Sequence, residues 1–201
     1  MTDSKIILIT GAGRGLGQAL ALKFAALGAK VVVNDINPDA AAATVKEITE
    51  TGGRALHLSA DVANKMAVQT MHYEILEKWG RVDVLINNAV IEPLGPMLTT
   101  DEWAWDRAMN VNLKGAFLCT QTVARGMKEQ GGGVIINIAR SETGQAPHAA
   151  FVASQEGLAG FTRECAKELA GQGIRVEMII FTPQSDASAI IDQTLTLCSL
   201  I

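Results

Sequence analysis

Short runs of apolar residues alternate along the chain with longer segments in which apolar and polar residues are mixed. Each short run has the length of a strand, and each mixed segment has the length of a helix. We predict strands at residues 6–9, 30–34, 54–58, 82–86, 134–138, 174–180 and 194–197, and helices at about 15–27, 38–51, 64–79, 101–129 and 150–171. The strands are nearly all apolar, as expected of a parallel sheet that helices cover on both faces.

The order of these elements predicts the fold class. Strands that alternate with helices form βαβ units, whose crossovers are right-handed. No internal repeat, low-complexity tract or linker interrupts the alternation. The pattern therefore predicts an α/β fold with a doubly wound parallel sheet of about seven strands, in a single domain that spans residues 1–201.

Helix-start signals support several of the predicted boundaries. Thr99 with Glu102 three residues later has the pattern of a capping box. Asp61 lies just ahead of the helix that we predict from about residue 64. Three glycines at 131–133 predict the turn that ends one helix and leads into the next strand.

A glycine-rich turn joins the first predicted strand to the first predicted helix, with the sequence Thr10-Gly11-Ala12-Gly13-Arg14-Gly15-Leu16-Gly17. Glycines permit a tight turn and close approach of the backbone to a pyrophosphate, and the helix N-terminus supplies unpaired N–H groups. Because the turn opens a βαβ unit, it predicts a Rossmann-type dinucleotide site, with a simple tight turn as the alternative. We expect Gly11, Gly15 and Gly17 to hold the pyrophosphate, with Arg14 and Leu16 beside it.

The second predicted strand is followed by Asp35, some 18 residues after the glycines. A carboxylate there accepts hydrogen bonds from the adenosine ribose and repels a 2′-phosphate, which favours NAD over NADP. Arg14 indicates the opposite, because a guanidinium beside the turn can contact such a phosphate. Two alternatives stay open, namely Asp35 as a turn residue before Asn37 and Pro38, and Arg14 as a solvated loop charge.

Composition narrows the function classes further. The formal net charge of −4 and the pI near 5.4 leave no basic face for a nucleic acid or an anionic membrane. Three widely spaced cysteines suit buried thiols in a reducing compartment, and the three histidines lack metal-ligand spacing. No signal peptide or membrane-length apolar segment is found in the sequence, so we expect a cytoplasmic protein without nucleic-acid, membrane or metal partners.

Four motifs resemble those of the short-chain dehydrogenase/reductases in order and spacing, over nearly the whole chain. They are the glycine-rich turn at residues 10–17, Asp61-Val62, Asn87-Asn88-Ala89 and Val111-Asn112-Leu113-Lys114-Gly115. The resemblance implies that Asp61 and Val62 meet the adenine, and that Asn88 and Ala89 line the cofactor. It also implies that Asn112 kinks its helix and holds a water molecule in a proton relay.

The resemblance implies a catalytic mechanism whose residues are altered in this chain. In the family, a Tyr-x-x-x-Lys pair and a preceding Ser carry the chemistry: Tyr exchanges a proton with the substrate oxygen, Lys lowers the pKa of the phenol, and Ser orients the carbonyl. Here the Tyr position holds Phe151, the Lys position Gln155 and the Ser position Arg140, which is followed by Ser141. Phe151 has no hydroxyl and Gln155 has no charge, so Asn112 alone is retained among the four catalytic positions.

Further departures concern the substrate side of the site. Where the family has Asn-Asn-Ala-Gly, this chain has Val90 in the last position, which adds bulk beside the cofactor. Only residues 182–193 join the last two predicted strands, so we expect the helix that covers the substrate in the family to be missing. The resemblance also implies a homodimer through the helices 101–129 and 150–171.

Three hypotheses follow from these observations. The first is an NAD-binding protein whose catalysis is impaired. The alternative is an active NAD(P)-dependent oxidoreductase on an alcohol or carbonyl substrate, with Ser141, His148 or water in place of the tyrosine. For His148, a solvated loop position is the simpler interpretation. The third hypothesis is a shortened fold that binds no ligand well.

Overall fold

The computed structural model describes residues 5–141, 149–182 and 186–199. In this part of the chain, the strands are β1 Ile6–Thr10, β2 Lys30–Asp35, β3 Arg54–Ser59, β4 Val84–Asn87, β5 Gly133–Arg140 and β6 Ile174–Phe181. The helices are α1 Gly15–Ala26, α2 Pro38–Glu50, α3 Lys65–Trp79, α4 Glu102–Ala108, α5 Gly115–Glu129, α6 Ala149–Ala170 and α7 Ala187–Ser199. A π-helical segment, Met109–Lys114, joins α4 to α5.

The strands form one parallel sheet in the order β3-β2-β1-β4-β5-β6. The chain winds outward from β1 to β2 and β3, then returns to the centre and continues through β4, β5 and β6. The direction of winding therefore reverses between β1 and β4, which is where ligands bind in sheets of this class. The predicted α/β class with a Rossmann-type parallel sheet is confirmed, with six strands in the described residues instead of about seven.

Helices cover both faces of the sheet. Successive residues of a strand point to opposite sides, so each strand packs against both layers of helices. On β1, Ile6 and Leu8 pack in a cluster with residues of α3 and α5, whereas Ile7 and Ile9 pack with residues of α1, α2 and α7. The most exposed of these four side chains is only 3% exposed. Burial on both faces explains why the strands are nearly continuously apolar.

The seventh predicted strand is wrong, because residues 194–197 lie inside α7. Ile191, Leu195 and Cys198 recur at helical spacing and pack against the core cluster that contains residues of α1. Thr194 is fully buried, and its hydroxyl donates to the carbonyl oxygen of Ile190 at 2.7 Å, one helical turn earlier. A short apolar run does not show by itself whether it belongs to a strand or to a longer helix. The expected absence of the substrate-covering helix assumed that strand, and it stays a prediction.

The start of α4 also differs from the prediction. Asp101 is the N-cap residue, and its Oδ1 atom accepts a hydrogen bond from the N–H of Ala104 at 2.6 Å. The hydroxyl of Thr99 donates instead to the carbonyl oxygen of Pro96, in the turn before the helix. The predicted capping box from Thr99 to Glu102 is therefore wrong. Asp is at least as good an N-cap residue as Thr, and the Thr99 hydroxyl is already used by the turn.

Candidate cofactor-binding site

A cleft of about 380 Å³ lies at the carboxyl ends of the central strands, where the winding of the sheet reverses. This volume is in the range of small-molecule sites. Nine of the ten predicted cofactor residues line it: Gly11, Arg14, Gly15, Leu16, Asp35, Asp61, Val62, Asn88 and Ala89. The tenth, Gly17, lies behind the turn. Val90 and Arg140, which the sequence placed on the substrate side of the site, also line the cleft. Residues that were not predicted to do so are Asn34, Ile36, Ala60, Ile91, Arg107 and Val111.

The glycine-rich turn needs glycine for two different reasons. Gly11 and Gly15 have φ angles of +62° and +58°, in the left-handed region that favours glycine. Gly17 is needed for space, because a Cβ atom there would collide with the carbonyl oxygen of Gly11 and lie 2.6 Å from Asn88 Nδ2. Arg14 is the N-cap residue of α1, and its side chain accepts no hydrogen bond from the helix. The first N–H groups of α1 are therefore available to an anionic ligand.

Thr10 and Asn88 fix the turn against the end of β4. The Nδ2 atom of Asn88 donates to the carbonyl oxygens of Thr10 and Gly11, at 3.0 Å in each case. The hydroxyl oxygen of Thr10 accepts from the N–H of Asn88 at 3.0 Å and from the N–H of Ala89 at 3.1 Å. Asn88 thus supports the turn in addition to lining the cleft. Thr10 was missed as a site residue, although its place between β1 and the glycines was a usable signal.

Asp35 connects the end of β2 to the glycine-rich turn. Its Oδ2 atom accepts from the N–H of Gly13, and its Oδ1 atom accepts from the N–H of Asn37, both at 3.0 Å. A Cβ atom on Gly13 would lie 2.8 Å from the same carboxylate, so glycine is needed there too. Asp35 is therefore both a cleft-lining carboxylate and a turn residue before Asn37. The sequence held no separate signal for Gly13, because the turn alone accounts for a glycine at that position.

Asp61 and Val62 line the cleft at the end of β3. The Oδ1 atom of Asp61 accepts from the N–H of Ala63 at 2.9 Å, and its Oδ2 atom lies 3.7 Å from the guanidinium of Arg107. The Asp61 and Arg107 side chains are 34% and 33% exposed, so solvent weakens this ion pair. Arg107 was missed because α4 reaches the cleft only through the tertiary structure.

Asn112 lies in the π-helical segment, where the helix predicted over 101–129 departs from regular geometry. Its Nδ2 atom donates to the carbonyl oxygen of Ile91 and to Ser154 Oγ, each at 2.9 Å, and its Oδ1 atom accepts from the N–H of Ile91 at 2.8 Å. The irregularity of the helix thus coincides with Asn112, whose side chain ties α6 to the segment after β4. Its water-holding role stays a prediction.

The positions that the resemblance assigns to catalysis lie on β5 and α6, on the side of the cleft opposite Asp35. Phe151 is fully buried and does not line the cleft. Gln155 is 7% exposed, and its Oε1 atom accepts the backbone N–H of Arg140 at 2.7 Å. Arg140 is one of the residues that line the cleft, and its guanidinium lies 5.8 Å from the centre of the Phe181 ring. At the Ser position, the cleft is therefore lined by an arginine instead of a serine.

Neither candidate for a displaced proton donor is found among the described residues that line the cleft. Ser141 is half-buried, and its N–H donates to the carbonyl oxygen of Phe181 at 2.9 Å. It is not one of the residues that line the cleft. His148 lies outside the described residues. A second cavity, lined by Asn112 and Gln155 among others, measures only about 10 Å³, which leaves room for about one water molecule.

Metal ligation, membrane-spanning helices and cysteine reactivity can be examined in the part of the chain that the structure describes. No three His, Cys, Asp or Glu side chains there are grouped so that they could hold a metal ion. No helix there combines the length and the apolar character that crossing a bilayer requires. The three cysteines are free. Burial raises the pKa of the Cys119 thiol to about 12, which makes it an unreactive core residue.

The family model described as short chain dehydrogenase matches residues 5–186. The (2S)-[(R)-hydroxy(phenyl)methyl]succinyl-CoA dehydrogenase subunit BbsD of Thauera aromatica is 42% identical over 189 residues, which cover 92% of this chain and 76% of that protein. A 3-oxoacyl-[acyl-carrier-protein] reductase of Synechocystis sp. is 41% identical over 179 residues, covering 88% and 72%. A solved metagenomic short-chain oxidoreductase in complex with NADP matches with a TM-score of 0.88 and 33% identity, over 97% of this chain and 90% of that chain.

Proposed function

The chain belongs to the short-chain dehydrogenase/reductase family, and on this basis we propose that it binds NAD in the cleft but transfers hydride poorly or not at all. The observation that carries the proposal is a contrast within one cleft. Its adenosine side, formed by Asp35, Asp61 and Val62, keeps the groups that hold a nucleotide. Its nicotinamide side, formed by Val90 and Arg140, has lost the catalytic hydroxyls, and Phe151 is buried outside it.

The adenosine side and the glycine-rich turn fit the nucleotide part of the cofactor. Gly11 and Gly15 adopt backbone conformations that open the turn, and the uncapped start of α1 offers N–H groups to the phosphates. The carboxylate of Asp35 is positioned to accept hydrogen bonds from the ribose hydroxyls. In this proposal Asp61 and Val62 contact the adenine, while Asn88 and Ala89 line the site beyond the phosphates.

The proposed preference for NAD over NADP rests on Asp35. Its carboxylate would repel a 2′-phosphate, and the N–H groups of Gly13 and Asn37 hold it in place. Arg14 is exposed and lines the cleft, so it offers some compensation to a 2′-phosphate. We infer that the fixed carboxylate outweighs this exposed cation.

The proposed impairment rests on the side chains of Phe151 and Gln155, together with Arg140 at the Ser position. Bound NAD supplies the hydride acceptor in the family's reaction, and the protein must then move a proton at the substrate oxygen. Phe151 has no group that gives or takes a proton, and Gln155 has no charge to favour a phenolate. A positioned general acid or base contributes about 10²–10⁴-fold to the rate, and residues that act as a unit lose most of that contribution together.

The second candidate is an active oxidoreductase on an alcohol or carbonyl substrate, which the names of the relatives as dehydrogenase and reductase favour. It requires a displaced proton donor such as Ser141 or His148. Ser141 is half-buried and lies off the cleft lining, which weighs against it.

Cofactor binding is tested by titrating the protein with NADH and NADPH and following the cofactor fluorescence. We expect saturable binding of NADH and binding of NADPH that is about tenfold weaker, a difference of about 1.4 kcal/mol. Asp35→Asn removes the charge and should bring the two affinities together. The absence of saturable binding to either cofactor contradicts the proposal.

Impairment is tested by turnover over a panel of secondary alcohols and ketones. The native protein is compared with the triple variant Phe151→Tyr, Gln155→Lys, Arg140→Ser, for which we expect a gain of at least about 10²-fold. Phe151→Tyr alone is the matched control and should show no gain. Because the variants bury new polar groups, thermal denaturation must first show that each is folded. Native turnover that the triple variant does not improve contradicts the impairment.

We also propose a homodimer through α5 and α6 in a cytoplasmic location. Leu113, Phe117 and Phe161 line an open apolar hollow between these helices, and Phe117 is 39% exposed. Unpaired cysteines suit a reducing compartment. Sedimentation of the native protein and of Phe117→Asp tests the dimer, which the variant should dissociate.

A further inference from the structure

Three arginines and two aspartates line the cleft, and they are not equally compensated. The Asp35 carboxylate is held by two backbone N–H groups, and Asp61 pairs with Arg107 at 3.7 Å. Within residues 5–141, 149–182 and 186–199, no carboxylate forms an ion pair with Arg14 or Arg140. Two cations that line the cleft therefore have no described anionic partner. Arg14 lies in the glycine-rich turn, just before α1, and Arg140 lies at the end of β5.

Arg140 is the better positioned of these two cations. Its backbone N–H is held by Gln155 Oε1 at 2.7 Å, and its guanidinium lies 5.8 Å from the centre of the Phe181 ring. A guanidinium that lies over an aromatic ring has less freedom to lose when it binds, and its planar donors suit a phosphate group. Arg140 lines the same cleft as Gly11 and Gly15. A ligand held at the turn therefore shares one cavity with this residue.

The rest of the nicotinamide side offers little to a nicotinamide riboside. The other residues that line this side, Val90 and Ile91, are apolar, and Ile91 also packs against the core. Gln155 is buried, and its carbonyl group is already bonded. The strongest interaction available on this side is thus electrostatic, and it is directed at an anion.

Resting on the proposed nucleotide binding, we propose that the cleft prefers adenosine 5′-diphosphate to NAD, with Arg140 binding the free terminal phosphate. A terminal phosphate ionises a second time near pH 6, so it carries about 1.5 to 2 negative charges at pH 7. In NADH and in ADP-ribose the same phosphate is esterified and carries a single charge. The arginine at the Ser position thus makes a dinucleotide site into a site for a nucleoside diphosphate.

The test measures binding of ADP, ADP-ribose and NADH by calorimetry, at low salt and without divalent cations. We expect ADP to bind about tenfold more tightly than ADP-ribose, as one additional charge-assisted contact provides. We expect ADP-ribose and NADH to bind about equally, because the nicotinamide adds no favourable contact.

Two variants identify the source of the preference. Arg140→Ser should weaken ADP about tenfold and leave ADP-ribose nearly unchanged. Arg107→Ser is the matched control, because it removes a cation from the same cleft that already pairs with Asp61. It should change the affinities for ADP and ADP-ribose by the same factor.

The outcomes separate this inference from the function on which it rests. NADH that binds more tightly than ADP overturns the inference and leaves the proposed function standing. An Arg140→Ser variant that weakens ADP and ADP-ribose equally also overturns it. If no nucleotide binds, both the inference and the proposed function are overturned.

Discussion

The adenosine side and the nicotinamide side of the cleft are built from the same kinds of elements, strand ends and the segments that follow them. On the adenosine side, the polar groups are fixed to one another, with Asp35 bonded to the turn through Gly13. On the proposed nicotinamide side, the residues at the positions that the resemblance assigns to catalysis are not joined in this way. Phe151 is fully buried, Gln155 is bonded to the backbone, and Arg140 presents a cation.

Under the proposed function, binding and catalysis are separable in this fold. The groups proposed to hold a nucleotide depend on the backbone geometry of the turn and on the Asp35 carboxylate. The positions to which the family resemblance assigns proton transfer belong to β5 and α6, and they depend on the identity of three side chains. Under the proposal, substitutions on β5 and α6 remove catalysis while the turn and the sheet stay intact.

The largest effect is expected in the glycine-rich turn, where Gly17 leaves no space for a side chain. Gly17→Ala places a Cβ atom against the carbonyl oxygen of Gly11 and Asn88 Nδ2. We expect a loss of about 1–3 kcal/mol in the free energy of unfolding and the loss of measurable NADH binding. Urea unfolding and NADH titration measure the two effects.

Gly160→Ala serves as the control for this substitution. The nearest atom to a Cβ there is the end of the Arg163 side chain at 3.8 Å, so the helix accepts alanine. We expect this variant to be more stable by about 0.8–1.0 kcal/mol, with native NADH affinity. Native NADH affinity in Gly17→Ala would break the assignment of binding to the turn.

A smaller effect is expected from opening the nicotinamide side. Val90→Gly removes an apolar side chain from the cleft, so NADH should gain affinity relative to ADP-ribose, by less than about tenfold. Ile36→Gly is the matched control, because Ile36 lines the cleft next to Asp35. It should shift both ligands equally. An equal shift in Val90→Gly as well would mean that Val90 does not obstruct the nicotinamide.

The smallest effect is expected at His72, which lies on neither side of the cleft. Burial lowers the pKa of His72, which is 9% exposed and lies close to Gly126 across the α3–α5 contact. Below pH 6.5 the unfolded chain binds a proton that the folded chain resists, so the free energy of unfolding should fall as the pH is lowered through 6.5. Urea unfolding from pH 8 to 5 measures this, and His72→Gln should show a weaker decline. A variant with the native pH dependence would assign the effect to other groups.

The residues that could be predicted from the sequence belong to short local motifs. The glycine-rich turn, Asp35 and the motif that contains Phe151 and Gln155 all lie at recognisable places in a strand–helix pattern. Arg107 could not be found in this way, because it reaches the cleft only through the packing of α4. The hydrogen bond between Gly13 and Asp35 likewise joins positions 22 residues apart.

The errors in the fold prediction arise where other residues override a short local pattern. Residues 194–197 have the composition of a strand, and their helical state depends on burial of Thr194 and Ile190 against the core beside α1. The capping-box pattern at Thr99 failed because a neighbouring aspartate, Asp101, competes for the same helix start. Short patterns thus predict an element well only when no longer-range contact or nearby residue competes with them.

The central claim, that the adenosine side is kept and the nicotinamide side is lost, is tested most directly by a crystal structure with NADH. The account predicts ordered density for the adenosine and the phosphates, with the ribose bonded to Asp35, and no ordered density for the nicotinamide. A fully ordered nicotinamide packed between Val90 and Arg140 would contradict it.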